Sequence, residues 1–271
     1  MNTTTTQSSP SPQHPTDLIP LIAAQRAAAA KSEAEQPQRR VLVIGKSGHG
    51  KTFSVATTAP KVIVIDYDNQ LNDPIVRQRV AGIYPMWDKD WVRFELKGIT
   101  NQPIANLRNL LCSKPIQAMD HTYTLLIDSM NQWADEADAE LMDACPKGAS
   151  GEKDTYWYWA QWANTLRDFH VQIKKLRCNV VVTGIEEEIR EAQSGQVEGV
   201  RFNLPGKKFS HRIFSFYTDV FRQIKQVTQK PDKTVDISYV WQVQPDREFP
   251  LAKTRIKTNK LYVPSTWESF K

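Results

Sequence analysis

Residues 41–52 read Val-Leu-Val-Ile-Gly-Lys-Ser-Gly-His-Gly-Lys-Thr, and this stretch decides the fold class of the chain. Its first four residues are apolar and mostly β-branched, which predicts a buried strand. The remaining eight match G-x-x-x-x-G-K-T, the pattern of a phosphate-binding loop that leads into a helix. A Gly/Ser turn can match this pattern by chance, but the apolar strand before it favours the phosphate-binding loop.

The residues of this loop have complementary chemical roles. The glycines allow the backbone to turn tightly, so that successive N–H groups point at one anion. The ammonium of Lys51 reaches the β- and γ-phosphates, the hydroxyl of Thr52 ligates Mg²⁺, and the helix N-terminus adds partial positive charge. We therefore predict an ATP and Mg²⁺ site formed by Gly45, Lys46, Ser47, Gly48, His49, Gly50, Lys51 and Thr52.

The composition is that of an ordinary soluble protein. The chain has 271 residues, of which 40% are hydrophobic, and its mean hydropathy is −0.50. Its net charge of +5 fits a polyanionic partner without requiring one. The three cysteines lack C-x-x-C spacing, and no apolar run approaches the roughly 18 residues of a membrane span. We expect a cytoplasmic protein without a zinc site, a disulfide framework or a membrane anchor.

We predict three regions along the chain. Residues 1–36 form a flexible N-terminal arm with a short possible helix, since residues 1–16 are mostly polar and Leu18–Ile22 are mostly apolar. That helix docks on a neighbouring subunit or lies on its own domain, and the sequence favours neither. Residues 37–257 form the ATPase core, and 258–271 form a polar C-terminal tail.

Apolar strands alternate with helical patterns in the core. This predicts an α/β fold with a mostly parallel, twisted sheet, helices on both faces and late antiparallel strands. Trp159, Trp162 and Leu166 begin a buried helical stripe that extends to Leu176. Residues 187–203 are predicted as a long polar loop. The predicted strands are Val62–Ile65, Trp91–Leu96, Thr122–Ile127, Asn179–Thr183, Asp219–Val227, Asp236–Gln244 and Leu251–Ile256.

Acidic residues follow three of the predicted parallel strands, so they share one edge of the sheet with the loop. Asp128 ends an apolar strand and is expected to hold the Mg²⁺ shell. Hydrolysis also needs a carboxylate that orients the attacking water, and Asp68 and Glu186 are the candidates. We favour Asp68, and we assign Asp66 to structural hydrogen bonds.

Two cations near the end of the core have two possible roles. Lys253 and Arg255 alternate along a predicted strand, so both project to one side. They form either a solvated basic edge or a pair of charges that reaches the γ-phosphate bound by an adjacent subunit.

Aromatic and basic residues mark a candidate DNA-binding region. Tyr156 and Trp157 begin a predicted helix beside the loop 146–154, where base stacking is possible. DNA binding predicts that loops 146–154 and 187–203 line one basic surface. The densest basic cluster beside the second loop consists of Lys207, Lys208, His211 and Arg212.

These motifs together resemble phage-encoded nucleotide-binding proteins with a minimal RecA core, a group that includes Sak-type single-strand annealing proteins. The resemblance covers residues 40–257. Besides the phosphate-binding loop, its motifs are Ile65-Asp66-Tyr67-Asp68, Leu126-Ile127-Asp128-Ser129, Thr183-Gly184-Ile185-Glu186, Leu204-Pro205-Gly206-Lys207, Gln244-Pro245-Asp246 and Lys253-Thr254-Arg255.

The resemblance implies a RecA-like ATPase that binds single-stranded DNA in recombination or annealing, inside a bacterial host. It implies head-to-tail self-association as a ring or filament, and a phage recombination or replication protein as a partner. Asp68 matches the acidic residue that activates water, and Lys253 and Arg255 match cations donated across the subunit interface. Asp68 is shorter than the usual glutamate, which implies slow hydrolysis, and Ile185 replaces a histidine common in the group.

Two other functions fit the same motifs. One is an ATPase that loads or drives a replication or packaging protein, which predicts an apolar docking patch around Leu18–Ile22. The other is a nucleotide-gated binding module that rarely hydrolyses ATP.

Overall fold

The computed structural model describes residues 38–71, 74–97, 101–206, 212–230 and 233–270. The predicted N-terminal arm and its helix lie outside these residues. The strands are Arg40–Gly45 (β1), Val62–Asp66 (β2), Gly82–Pro85 (β3), Thr124–Asp128 (β4), Asn179–Arg190 (β5), Val197–Phe202 (β6), Asp219–Gln229 (β7), Val235–Gln242 (β8) and Tyr262–Pro264 (β9). The α-helices are Lys51–Thr58 (α1), Pro74–Arg79 (α2), Lys89–Glu95 (α3), Pro103–Leu111 (α4), Lys114–Gln117 (α5), Met130–Ala144 (α6) and Thr155–Lys175 (α7).

The strands form one sheet with the order β3-β2-β4-β5-β1-β7-β8-β9, and β6 pairs with β5 beside this path. Strands β3, β2, β4, β5, β1 and β7 are parallel, whereas β8, β9 and β6 pair in antiparallel fashion. This topology confirms the predicted α/β fold, with its mostly parallel sheet and late antiparallel strands.

Both faces of the sheet are covered, because alternate residues of the buried strands point to opposite sides. Leu42 and Ile44 of β1 belong to the larger core cluster, which α4, α6 and α7 cover. Val41 and Val43 belong to a second cluster under α1 and α2. The central strands are therefore apolar throughout, as the sequence predicted.

The segment predicted as a strand over Trp91–Leu96 is instead part of helix α3. Asp88 caps this helix, because its Oδ1 accepts hydrogen bonds from the backbone N–H groups of Asp90 and Trp91. The alternating pattern is short enough to fit either structure, and the cap decides for the helix.

The predicted loop over 187–203 is also wrong. Strand β5 continues to Arg190 and returns as β6, so most of this segment is an antiparallel hairpin. Many side chains of this segment are charged, so its sequence does not show the apolar alternation that indicates a strand. Four glutamates and two arginines lie in 187–203, so the hairpin carries net negative charge.

The C-terminal part differs from prediction in two places. Residues 251–256 contribute only an isolated bridge between Val220 and Lys253, not a strand. The predicted tail 258–271 contains β9, which pairs with β8. Phe270 packs against Phe221 and Trp241, so the apolar residues of this segment complete the second core cluster.

The apolar stripe of α7 is confirmed except at its first position. Trp162 is fully buried, but Trp159 is 42% exposed and Tyr158 is buried in its place. Both residues lie about one turn before Trp162, so the spacing permits either. Tyr158 is the buried one because its hydroxyl donates a hydrogen bond to Asp138 on α6.

Among the described residues, no helix is long and apolar enough to cross a membrane.

Candidate nucleotide-binding site

The loop between β1 and α1 has the backbone shape that its glycines predicted. Gly48 and Gly50 adopt φ angles of 73° and 74°, in the left-handed region that favours glycine. Lys51 begins α1, and its Nζ donates to the carbonyl oxygens of Gly45 and Lys46 at 2.9 Å each. Burial lowers the pKa of Lys51, against the attraction of Asp128, Glu186 and Asp68.

The floor of the loop is built by β7 and β8. A Cβ at Gly45 would lie 2.7 Å from the carbonyl oxygen of Gln223, so only glycine fits this approach. Gln223 is fully buried and its Oε1 accepts a hydrogen bond of 2.7 Å from the indole of Trp241. The ring of Tyr239 lies about 3 Å from the position of a Cβ at Gly50. These contacts fix the loop on the sheet.

The groups that would hold Mg²⁺ meet at the end of β4. The Thr52 hydroxyl donates to Asp128 Oδ2 at 2.7 Å, and the Thr183 hydroxyl donates to Asp128 Oδ1. A hydroxyl and a carboxylate are hard oxygen ligands, which are the donors that Mg²⁺ prefers. The pair therefore fits the predicted metal position, with the metal supplying charge that neutralises the phosphates.

Asp128 is wholly enclosed. Burial raises the pKa of its carboxyl to about 6, against hydrogen bonds from Thr183 and Thr52 that lower it. Because this pKa exceeds the ordinary value of 3.8, the stability contribution of the group is present below that value and lost as the pH rises through about 6. At neutral pH the apo protein thus holds a buried charge that a metal ion would compensate.

We expect Asp128→Asn to stabilise the metal-free protein at pH 8 by about 2–3 kcal/mol, because it removes this buried charge. The gain should shrink towards zero near pH 4. Urea unfolding without Mg²⁺ and nucleotide measures both values, and Asp143→Asn, at an exposed position of α6, is the control. An equal loss of stability at both pH values would instead mean that the hydrogen bonds of Asp128 dominate.

Asp68 faces the same pocket, a cavity of about 230 Å³ whose lining includes Lys51, Thr52, Asp68, Asp128 and Ser129. Its Oδ1 accepts a hydrogen bond of 3.0 Å from the Ser129 hydroxyl. This bond orients the carboxylate at the end of β2, beside the Thr52–Asp128 pair.

Glu186 is placed differently. It is buried and holds Arg222 through two hydrogen bonds of 2.8 and 3.1 Å, and Arg222 also reaches Glu248 at 3.1 Å. Both oxygens of Glu186 are thus engaged by a cation. Asp66 accepts a bond of 3.0 Å from the indole of Trp87, in line with its predicted structural role.

Lys253 and Arg255 lie away from the phosphate-binding loop of their own chain. Lys253 pairs with Val220 near the start of β7, and the Arg255 N–H donates to Asp219 Oδ1 at 2.7 Å. Asp219 pairs with Val41 at the beginning of β1, whereas the loop follows the end of β1. The two cations therefore lie at the amino-terminal end of the parallel strands, whereas the phosphate-binding loop lies at their carboxyl end.

The predicted DNA-binding residues separate into three groups. Tyr156 is 86% exposed, whereas Trp157 packs partly against the core. Arg212 is exposed beside the turn of 3₁₀-helix at Ile213–Phe216. Lys207, Lys208 and His211 lie outside the described residues. Residues 146–154 carry two lysines and two acidic residues, so neither predicted loop is basic.

The sequence reasoning missed four residues that position this site. Ser129 directly follows Asp128, and this position in the sequence could have indicated that it belongs to the site. Thr183, Arg222 and Gln223 lie on strands beside β4 or β1 and contact the site across the sheet. Only the strand register reveals the contacts that they make with the site.

Comparison with known proteins gives one family and distant structural likenesses. No curated protein matches the sequence. The solved structures include the ATPase EscN of the enteropathogenic E. coli type III secretion system, with 10% identity and a TM-score of 0.38 over 68% of this chain and 42% of that chain. A prototypical type III secretion ATPase of pathogenic bacteria has 11% identity and a TM-score of 0.38, over 86% of this chain and 60% of that chain.

The RadB recombinase has 11% identity and a TM-score of 0.35, over 75% of this chain and 87% of that chain. At these values the structural similarities carry no inference about activity or partners. The model of an AAA domain, AAA_24, matches residues 37–256. Because this match spans most of the chain, and the phosphate-binding loop lies within it, the protein belongs to the AAA_24 family of AAA domains.

Proposed function

We propose that the protein binds ATP with Mg²⁺, hydrolyses it slowly, and acts on single-stranded DNA in phage-type recombination or annealing. One observation carries the ATPase part: Lys51, Thr52, Asp128 and Asp68, from three segments of the chain, line one pocket. This set supplies a phosphate cation, a metal position and a carboxylate for water, which is what phosphoryl transfer to water requires.

The contacts support a division of roles between the two candidate carboxylates. Asp68 lines the pocket and is oriented by Ser129, so we assign it to the attacking water. Glu186 is neutralised by Arg222, so we assign it to holding that cation near the end of β1. Lys51 and Thr52 bind the phosphates and the metal.

We further propose that active sites are completed between subunits. Lys253 and Arg255 lie at the end of the strands opposite the phosphate-binding loop, so they can reach a phosphate bound by a neighbouring copy more readily than one bound by their own chain. The hairpin of β7 and β8 gives independent support, because it exposes Val227, Val235 and Ile237 beside the phosphate-binding loop. Exposed apolar patches of this kind are typical of protein interfaces. A head-to-tail contact forms a ring or a filament.

A mixing experiment tests this arrangement. Lys51→Ala subunits and Lys253→Ala/Arg255→Ala subunits should each be inactive alone. An equal mixture should recover roughly a quarter of the wild-type ATPase rate, because random head-to-tail pairing joins an intact loop to intact cations at that fraction of interfaces.

Replacing Lys51→Ala subunits in the mixture by Lys51→Ala/Lys253→Ala/Arg255→Ala subunits is the control and should abolish recovery. A wild-type monomer that hydrolyses ATP at full rate, with no recovery in the mixture, would refute the shared site.

The DNA part of the proposal is supported by the family resemblance and by the exposed Tyr156 and Arg212. Its test is the ATPase rate with and without single-stranded DNA, with the mass of the protein measured in both states. DNA binding through phosphates should weaken with salt, by a slope of about −0.7 per contact. Salt-insensitive binding, or none in the presence of ATP, would favour an ATPase that loads another protein.

A further inference from the structure

One side of helix α7 combines an exposed aromatic ring with exposed cations. Tyr156, Ala163, Arg167 and Lys174 follow one another at intervals of seven, four and seven residues. At about 100° per residue, these intervals place all four on one side of the helix. The stripe is about 27 Å long at 1.5 Å per residue. Trp162, Phe169 and Ile173 are buried on the core side.

A cavity of about 190 Å³ opens beside the middle of this stripe, between α7 and the turn at Ile213–Phe216. Its inner wall is formed by Leu166, His170, Ile213 and Phe216. The His170 and Phe216 rings stack with centroids 4.3 Å apart. His170 is fully buried by this stack, so the aromatic surface that the cavity offers to a flat ring is that of the partly buried Phe216.

The rim of the cavity is cationic and polar. Arg167 and Arg212 both line it, and one Nη of Arg167 donates to Asn164 Oδ1 at 2.9 Å. This bond leaves the amide hydrogens of Asn164 as donors at the rim. Lys174 adds a further positive charge, since its ammonium lies 5.0 Å from the centre of the Phe216 ring.

The wall also contains a buried acceptor. His170 Nδ1 donates to the carbonyl oxygen of Leu166, and burial lowers the pKa of the ring to about 4, so the ring is neutral at pH 7. Its Nε2 then carries no proton and has no hydrogen-bond partner among the described residues.

A flat ring with hydrogen-bonding edges, attached to a phosphate, matches both the wall and the rim. We propose that single-stranded DNA lies along this side of α7, with one base in the cavity, its phosphates on Arg167 and Arg212, and another base stacked on Tyr156. The inference rests on the proposed DNA-binding function; it keeps Tyr156 and Arg212 from the sequence prediction and adds Arg167 and the cavity beside α7. A free nucleotide has the same chemistry, so the test includes one.

The test measures binding of a fluorescent oligo-dT by anisotropy, with full-length protein and Mg·ATP, over a series of salt concentrations. Tyr156→Ala should weaken binding at least fivefold, because stacking on an aromatic ring stabilises each base by about that factor or more. Arg167→Gln/Arg212→Gln should reduce the magnitude of the salt slope by about 1.4, or about 0.7 for each lost phosphate contact.

Phe94→Ala and Arg247→Gln are the matched controls, since Phe94 is an exposed aromatic residue on α3 and Arg247 is exposed and does not line the cavity. Both should bind like wild type, and thermal melting confirms that every variant is folded. Unchanged binding by the α7 variants, or an equal loss in the controls, would overturn the placement on α7. Binding of free AMP that the α7 variants abolish, with oligo-dT binding intact, would overturn DNA as the ligand.

The same experiment separates this inference from the function on which it rests. If the wild-type protein binds no single-stranded DNA, the proposed DNA function fails. If the wild-type protein binds DNA and the α7 variants bind it equally well, only the assignment to α7 fails.

Discussion

Lys51→Ala should lower ATP turnover at least 100-fold while the protein stays folded. Lys51 lines the pocket, and its Nζ donates to the carbonyl oxygens of Gly45 and Lys46, from which it can turn to a phosphate. Loss of a fixed positive group at developing negative charge costs about 10²–10³ in rate. The rate of phosphate release from Mg·ATP measures this effect.

A second lysine of the same loop provides the control for this prediction. Lys46 Nζ binds Glu188 on β5 at 2.5 Å, outside the set of groups that line the pocket. Lys46→Ala keeps the backbone N–H of the loop and should therefore cost less than tenfold. Equal losses in both variants would mean that general loop charge, and not the position of Lys51, supports turnover. Undiminished ATP affinity and turnover in Lys51→Ala would remove the nucleotide-site assignment.

Asp68→Asn should retain binding of Mg·ATP, but its rate of hydrolysis should fall by a factor of about 10²–10⁴, which is the contribution of a positioned general base. Asparagine can still accept the hydrogen bond from Ser129, so the geometry at the end of β2 is preserved while the basicity is lost. Binding of a fluorescent ATP analogue and single-turnover hydrolysis measure the two properties separately.

Glu186→Gln is the informative comparison for Asp68→Asn. Its carboxylate is bound by Arg222, so the substitution should loosen that cation and reduce hydrolysis far less than Asp68→Asn does. If Glu186→Gln abolishes hydrolysis and Asp68→Asn does not, the roles of the two carboxylates are exchanged.

The nucleotide site was predictable because its chemistry is local in sequence. The eight residues from Gly45 to Thr52 form one turn and the start of one helix, so their spacing alone specifies the loop. Asp128 and Asp68 could be added because each follows an apolar strand, and parallel strands bring such positions to one edge.

The errors have a common physical cause, namely that contacts outside each short segment decided its structure. At Trp91–Leu96 the contact is local, because the cap at Asp88 lies only three residues before Trp91 and favours the helix. The charged hairpin after Glu186 is stabilised by pairing between β5 and β6. The residues of β9 form a strand because they pair with β8. Short segments have weak intrinsic preferences, so such tertiary partners override them.

The sequence by itself determined the α/β class, the phosphate-binding loop and the strand that ends in Asp128, since these depend on apolar runs and on contiguous motifs. Only the tertiary structure decided which side chains and backbone groups position the candidate catalytic residues and the phosphate-binding loop. It alone revealed Ser129 bonded to Asp68, Arg222 bonded to Glu186, and Gln223 beneath Gly45. The order of strands in the sheet sets these contacts, and that order joins residues that are up to 178 positions apart in the chain.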